Sequence, residues 1–287
     1  MTREEIYQLI YTHDTIYVPP HEEGSAPLEV QLGCSWGKCT FCDFTKDKFR
    51  IHPLERIEQN IQILGLLQPD NPRLFLLGEN AFCMNTDYLL KILALKDKYM
   101  PKVTSFAMYS RIDDISRKTD EDLLLLKSKG LSALHIGIES GCDQILKLRR
   151  KGVTSEDMIR ELHRLDAAGI MYFVTIIPGL GGKSLSEKNA LETAKLLNQV
   201  RPQNIWCLKL KLWEGTTLYK EWENGEFDMM TPEEIILEER LLIENLTVEK
   251  CLFEDTTVLD NYTIKGILPE QKEALLQAID YLVAVRP

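Results

Sequence analysis

The chain has 287 residues, 44% of them hydrophobic, enough to build one large α/β domain or two small ones. A formal net charge of -10 argues against a general phosphate-backbone binder, which leans on Lys and Arg. No apolar run approaches the length that spans a membrane, and the start Met1-Thr-Arg-Glu-Glu-Ile6 has no signal-peptide pattern. Seven cysteines show no paired framework, so the expectation is a reducing, cytoplasmic compartment.

In chain order, Thr2 and Glu5 form a capping box for a short helix ending near Tyr11. Pro19-Pro20 and Gly24-Ser25 mark an extended linker before a first strand over Leu28 to Leu32. Pro53 opens a helix to Leu67, with Ile57, Ile61 and Leu64 at helical spacing. Strands follow at Leu74–Leu77, Val103–Tyr109, Ala133–Ile138, Met171–Ile177 and Ile205–Leu212. Helices alternate with them at Tyr88–Lys98, Asp120–Lys129, Ser155–Ala168 and Ser186–Val200. Six βα units in succession predict a parallel sheet, with functional motifs at the C-terminal ends of the strands. After Leu212 the pattern predicts a helix from Thr231 to about Asn245, a less regular segment from Phe253 to Gly266, and a final helix from Pro269 to Val285.

The most informative stretch is Gly33-Cys-Ser-Trp-Gly-Lys-Cys-Thr-Phe-Cys42, directly after the first strand. Cys34, Cys39 and Cys42 stand in a C-x4-C-x2-C spacing with no fourth cysteine nearby. Three thiolates suit three corners of a [4Fe–4S] cube and leave one iron open for chemistry. A structural zinc site would want a fourth ligand at a regular interval. A disulfide with one free thiol is the third option.

Further motifs follow in a fixed order: Gly78-Glu79-Asn80 after the second strand, Ile136-Gly-Ile-Glu-Ser-Gly141 after the fourth, Arg150-Lys151-Gly152, and Gly179-Leu-Gly-Gly182 after the fifth. From about Pro19 to Leu212 the chain resembles the radical SAM enzymes, and specifically the Elp3/MiaB/NifB and coproporphyrinogen-oxidase-like branch. That family usually carries C-x3-C-x2-C, so the first gap here is one residue longer. The resemblance implies a partial (β/α)6 TIM-like barrel with a parallel sheet and a helical C-terminal extension. The expected division is an N-terminal helix and linker at 1–26, the core at 27–212, and an extension over the barrel mouth at 213–287.

The resemblance also implies the cofactors, a [4Fe–4S] cluster and S-adenosylmethionine (SAM). In the family the open iron chelates the amino and carboxylate groups of SAM. One electron then breaks a C–S bond, and the resulting 5′-deoxyadenosyl radical takes hydrogen from the substrate. Carried over residue by residue, Cys34, Cys39 and Cys42 hold the cluster and Phe41 stands beside adenine. Gly78, Glu79 and Asn80 occupy the segment that meets the methionyl ammonium, with Glu79 as its acceptor. Glu139 accepts from the ribose, Lys151 meets the carboxylate with Arg150 as its neighbour and rival, and Thr175 (or Ile176) and Leu210 (or Lys211) lie on the adenine side.

Other residues carry plainer readings. His135 shares a strand face with Gly137 and Glu139 but lies deeper, as a satisfied interior histidine rather than a catalytic one. Gly181-Gly-Lys-Ser184 resembles the end of a phosphate-binding loop, but Ile177 stands where the first glycine is required. Cys83 is the one other cysteine placed near the mouth, and Asp260-Asn261-Tyr262 is the polar group assigned to it in the tail. The functional expectation is a radical SAM enzyme acting on a small or medium-sized organic substrate. Reduced flavodoxin or ferredoxin would supply electrons, with neither nucleic acid nor membrane as partner. The alternatives are a haem- or tetrapyrrole-binding protein on the same fold and a tRNA-modifying radical SAM enzyme.

Overall fold

The computed structural model describes residues 3–44, 47–256 and 263–285. They form two compact units, one of residues 1–37, 44–135 and 167–170, the other of residues 38–43, 136–166 and 171–287. Thr2 of the expected capping box and Asp260-Asn261-Tyr262 lie outside the described residues.

The elements run α1 (Arg3–Ile10), β1 (Ala26–Glu29), β2 (Gln31–Leu32), β3 (Arg50–Ile51), α2 (Leu54–Leu67), β4 (Arg73–Leu77), α3 (Thr86–Tyr99), β5 (Ser105–Ser110), α4 (Ile112–Ser116), α5 (Asp120–Ser128) and β6 (Leu131–Glu139). Then come α6 (Asp143–Leu148), α7 (Ser155–Ala168), β7 (Met171–Ile176), α8 (Ser186–Leu197), β8 (Asn204–Cys207), α9 (Thr217–Glu223), α10 (Pro232–Asn245), β9 (Cys251–Asp255), β10 (Ile264–Leu268) and α11 (Lys272–Val285). The main sheet has the order β1-β4-β5-β6-β7-β8-β9-β10. Strand order follows chain order without reversal, the winding of a barrel rather than of a doubly wound sheet.

In the first unit, β1 pairs parallel with β4 and β4 with β5. These strands are apolar on both faces, as parallel strands under helices must be. Helix α2 turns Ile57, Ile61 and Leu64 inward at a spacing of three to four residues. The expected first strand is split. Val30 donates to the Leu77 carbonyl, and the chain then turns into the short antiparallel β2–β3 pair.

A buried polar knot lies at the N-terminal end of these strands. Glu22 accepts from Arg73 Nη2 (2.5 Å) and Nε (2.7 Å), and His135 Nε2 lies 3.0 Å from its Oε1. The His135 ring also packs edge-on against Phe75 and Tyr109. His135 is therefore the satisfied interior histidine the sequence suggested, with burial pushing its pKa down. Burial alone would push Glu22 up, but the bonds from His135, Arg73 and Ser25 outweigh it and hold the carboxyl at about 2. Its folded pKa lies below the ordinary 4.5, so its stabilisation is present above that value and is lost as pH falls toward about 2. Glu22→Gln should cost roughly 3 kcal/mol at pH 7, because it leaves a buried guanidinium without its carboxylate. Urea titrations should find the deficit shrinking as pH drops through that window. A deficit independent of pH would contradict the account.

In the second unit, β7 pairs parallel with β8, β8 with β9, and β10 antiparallel with β9. The segment read as irregular from Phe253 therefore contributes two strands, and the extension is not only helical. Its alternation was hidden because β9 buries four of its five residues, leaving no period-two contrast. Helices α8 and α10 pack together, and each buries apolar residues, Ala190, Ala194 and Leu197 on α8 and Ile235, Leu242 and Ile243 on α10. The sixth expected strand stops at Cys207 instead of Leu212. Beyond it, Leu208 and Leu210 donate to the carbonyls of Ile176 and Pro178 while the chain leaves the ladder.

Candidate functional site

The cysteine stretch is anchored at both ends by backbone-directed bonds. Gly33, just before Cys34, has φ +69°, and a Cβ there would fall within 2.5 Å of the Asp47 carbonyl oxygen, so only glycine fits the turn. Ser35 donates its N–H to Asn80 Oδ1 at 3.0 Å. In the second unit, Thr40 donates its N–H to the Arg149 carbonyl (3.1 Å) and accepts from the Leu218 N–H (2.8 Å). The loop is thus threaded between the end of α6 and the start of α9.

None of the seven cysteines is in a disulfide, and Cys34, Cys39 and Cys42 are half-buried. Burial pushes the thiols of Cys83 and Cys251 up to about 12 and raises those of Cys142 and Cys207 as well. Among the described residues no three His, Cys, Asp or Glu side chains are gathered into a metal-holding group. The fit to an iron–sulfur cluster therefore rests on the donor set: three thiols on one loop, none of them in a disulfide. Cys39 and Cys42 lie against an apolar cluster of Phe41, Cys142, Ile145, Leu180, Leu210, Leu218 and Phe227. Phe41 and Leu210, assigned from different motifs to the adenine side, share this cluster.

After β4 the chain places Gly78, Glu79 and Asn80. Gly78 has φ +154°, and the space for its Cβ is taken by the Gln31 side chain. Glu79 Oε2 is buried without a hydrogen-bond partner. Burial pushes its pKa up, and the nearby Asp47 and Glu29 add to that. A buried carboxylate oxygen without a donor is costly, and a cationic ligand would relieve it. Asn80 differs from the expectation. It is fully buried, and both amide hydrogens and its oxygen are engaged within the protein. Its side-chain amide is thus engaged as a clamp on the loop, with both hydrogens and the oxygen bonded within the protein.

Glu139 and Lys151, expected on the same ligand, meet directly. Lys151 Nζ donates to Glu139 Oε1 at 2.7 Å, with both side chains largely buried. Glu139 closes β6 at φ +64° and Arg150 precedes Lys151 at φ +54°, a conformation that L residues other than Asn, Asp and His adopt rarely. Gly137 makes the pairing possible, since a Cβ there would collide with the Glu139 carboxylate. Thr175 lies half-buried in β7, in register with Trp206 of β8. Lys211 stacks on Trp213, 3.9 Å from the ring centroid.

Sequence reasoning missed a buried group at the ends of β8 and β9. Lys209 Nζ lies 2.6 Å from Asp255 and 3.9 Å from Glu239. It also missed Glu238, which accepts from the Gly179 N–H (3.1 Å) and Asn189 Nδ2 (2.7 Å) and so fixes the turn after β7. The one signal available was the charged pair Glu238-Glu239 inside an apolar helix pattern.

The chain is 25% identical over 227 residues to a tRNA-2-methylthio-N(6)-dimethylallyladenosine synthase of Fusobacterium nucleatum, covering 72% of this chain and 50% of that protein. It thus spans half the length of that curated relative. Among solved structures, Methanocaldococcus infernus Elp3 (TM-score 0.56, 15% identity) covers 91% of this chain and 64% of that one. Coproporphyrinogen III oxidase (HemN) of Escherichia coli has a TM-score of 0.58 at 11% identity, covering 85% of this chain and 56% of that one. A tRNA-modifying enzyme among the relatives removes the support for excluding nucleic acid as a partner. Proteins of the radical SAM family bind a [4Fe–4S] cluster and SAM. The family model matches residues 28–194, more than half the chain and the whole run from the cysteine loop to α8, so this chain belongs to the Radical SAM superfamily.

Proposed function

We propose that the chain is a radical SAM enzyme in which Cys34, Cys39 and Cys42 hold a [4Fe–4S] cluster and Glu79, Glu139 and Lys151 receive SAM. The observation that carries this reading is the single loop that bears three half-buried cysteines, none in a disulfide, while the other four cysteines are scattered along the chain. The bound group supplies reductive cleavage of SAM to a 5′-deoxyadenosyl radical. The chain's own residues bind and shield. Glu79 offers an acceptor to the methionyl ammonium. Lys151 offers a cation to the carboxylate, and Glu139 an acceptor to the ribose. Phe41 and Leu210 form an apolar wall for adenine. Leu218 and Phe227 help to shield the loop, since they pack in the cluster that Cys39 and Cys42 lie against. Electrons come from a small reduced carrier protein.

For the substrate, an organic molecule of small or medium size fits the acidic balance of the chain. A second reading, a tRNA, is favoured by the tRNA-modifying relative. Anaerobic protein reduced with dithionite should release 5′-deoxyadenosine and methionine from SAM. Stoichiometric zinc without iron would sink the proposal. A tRNA complex that weakens steeply with salt would decide for the second reading, because counterion release accompanies phosphate contacts.

Glu79 gives a separate test. Its folded pKa is raised, so its ionisation destabilises the free protein progressively as pH rises from the ordinary value through the raised one. Glu79→Gln should therefore leave the SAM-free protein as stable or about 1 kcal/mol more stable at pH 8. SAM affinity should fall by roughly 10–100-fold, the worth of a hydrogen bond to a charged group. Calorimetry on the iron-loaded variant checks the second figure. Unchanged affinity would remove Glu79 from the site.

A further inference from the structure

Asn80 holds a position that the reading above leaves without a task. Its side chain is completely buried, between the cysteine loop and the start of α4. Nδ2 donates to Ser35 Oγ at 2.7 Å and to Asp114 Oδ2 at 2.9 Å. Oδ1 accepts the Ser35 N–H at 3.0 Å and Gln31 Nε2 at 3.3 Å. Its backbone N–H donates to Gln31 Oε1 at 3.2 Å. Gln31 also donates to the Gly33 carbonyl, so the residues on both sides of Cys34 are gripped from one point. Asp114 is in turn fixed by the Arg111 N–H at 2.9 Å.

The bond pattern is specific to an amide. Ser35 presents a donor N–H and an acceptor hydroxyl oxygen, and Asn80 answers both with adjacent atoms of one planar group. Asp could accept the N–H, but it would face the Asp114 carboxylate with no hydrogen to offer. Leu or Ala would leave the Ser35 N–H and Asp114 Oδ2 buried without these partners, which is the costly half of a hydrogen-bond deletion. The neighbouring glycine has a matching reason. Gly78 lacks a Cβ because the Gln31 side chain lies there, so the turn after β4 and the loop before Cys34 are built against each other.

We infer that Asn80 is a positioning residue for Cys34: through Ser35 and Gln31 it sets the backbone that presents this thiol, and it contacts no ligand itself. The inference rests on the cluster reading for its consequence but not for its first test, which needs no metal. In metal-free, reduced protein, the alkylation of each cysteine by iodoacetamide is followed by peptide mass spectrometry. Asn80→Ala should raise the rate at Cys34 by about fivefold or more, as expected when a local hydrogen-bonded anchor worth about 1–3 kcal/mol is lost. The rates at Cys39 and Cys251 should stay near the parent's. Ser35→Ala removes one of the four bonds and should give a smaller rise. The double variant should match Asn80→Ala alone, because the two act as one unit. Asn80→Asp should resemble Asn80→Ala.

The second measurement is cluster retention. After anaerobic reconstitution, the Asn80→Ala protein should lose iron in air several times faster than the parent, with a broadened electron paramagnetic resonance signal. An Asn80→Ala protein whose Cys34 alkylates at the parent's rate overturns the inference, whatever its iron content. Equal acceleration at every cysteine overturns it too, because that is general unfolding and not positioning. If the parent binds no iron, the cluster reading fails while the alkylation result still decides the role of Asn80.

Discussion

Replacing Cys34, Cys39 or Cys42 singly with Ala yields colourless protein holding less than about one-tenth of the parent's iron, while the parent carries about four irons and four sulfides per chain. On the proposed reading each thiolate is one of three protein ligands, so losing one would leave two irons open and the cube labile. The control is internal. Cys207→Ala and Cys251→Ala should retain the iron, because both side chains are buried in β8 and β9, outside the cysteine loop and the apolar cluster it packs on. Atomic emission for iron and zinc, with the visible spectrum before and after dithionite, gives the answer. Full iron in any of the three variants would dismiss that cysteine as a ligand.

The second large effect falls on Glu139 and Lys151. Lys151→Met leaves the Glu139 carboxylate buried at the end of β6 without its cation, a loss of about 3–5 kcal/mol. Glu139→Gln combined with Lys151→Met should recover most of that, since no lone charge remains. Glu139→Gly should be roughly 1 kcal/mol more stable than Glu139→Ala, because glycine accepts φ +64° without the left-handed penalty. SAM affinity should fall in all of them, including the stability-neutral double variant. If that double variant binds SAM like the parent, the pair belongs to the fold and not to the cofactor site.

The alternating strands and helices could be read from residue pattern because each element is long enough to show its period. Helix α7, with Met158, Leu162 and Leu165 inward, begins and ends where its serine start and Gly169 stop imply. The short helices α4, α6 and α9 escaped notice because five to seven residues complete no more than two turns. At the site, motif order pointed to Glu79, Glu139 and Lys151 but not to their surroundings. Nothing local marks that Lys151 meets Glu139, that Glu22 waits 113 residues before His135 as its partner, or that Asn80 faces Ser35. These are contacts of tertiary structure between residues with no shared period, so only the folded chain displays them.

The grip of Leu218 on the Thr40 carbonyl has a consequence for how the protein is made. A ribosome releases residues 34–42 early and Leu218 about 180 residues later. At bacterial to eukaryotic rates of about 5–20 residues per second, the loop waits roughly 10–40 s before α9 arrives to bind the Thr40 carbonyl between Cys39 and Cys42. During that interval its thiols are open to oxygen and to stray metals. Metal loading of the nascent chain and loading of the finished chain are therefore different reactions. Only the finished chain holds Thr40, between Cys39 and Cys42, through both Arg149 and Leu218.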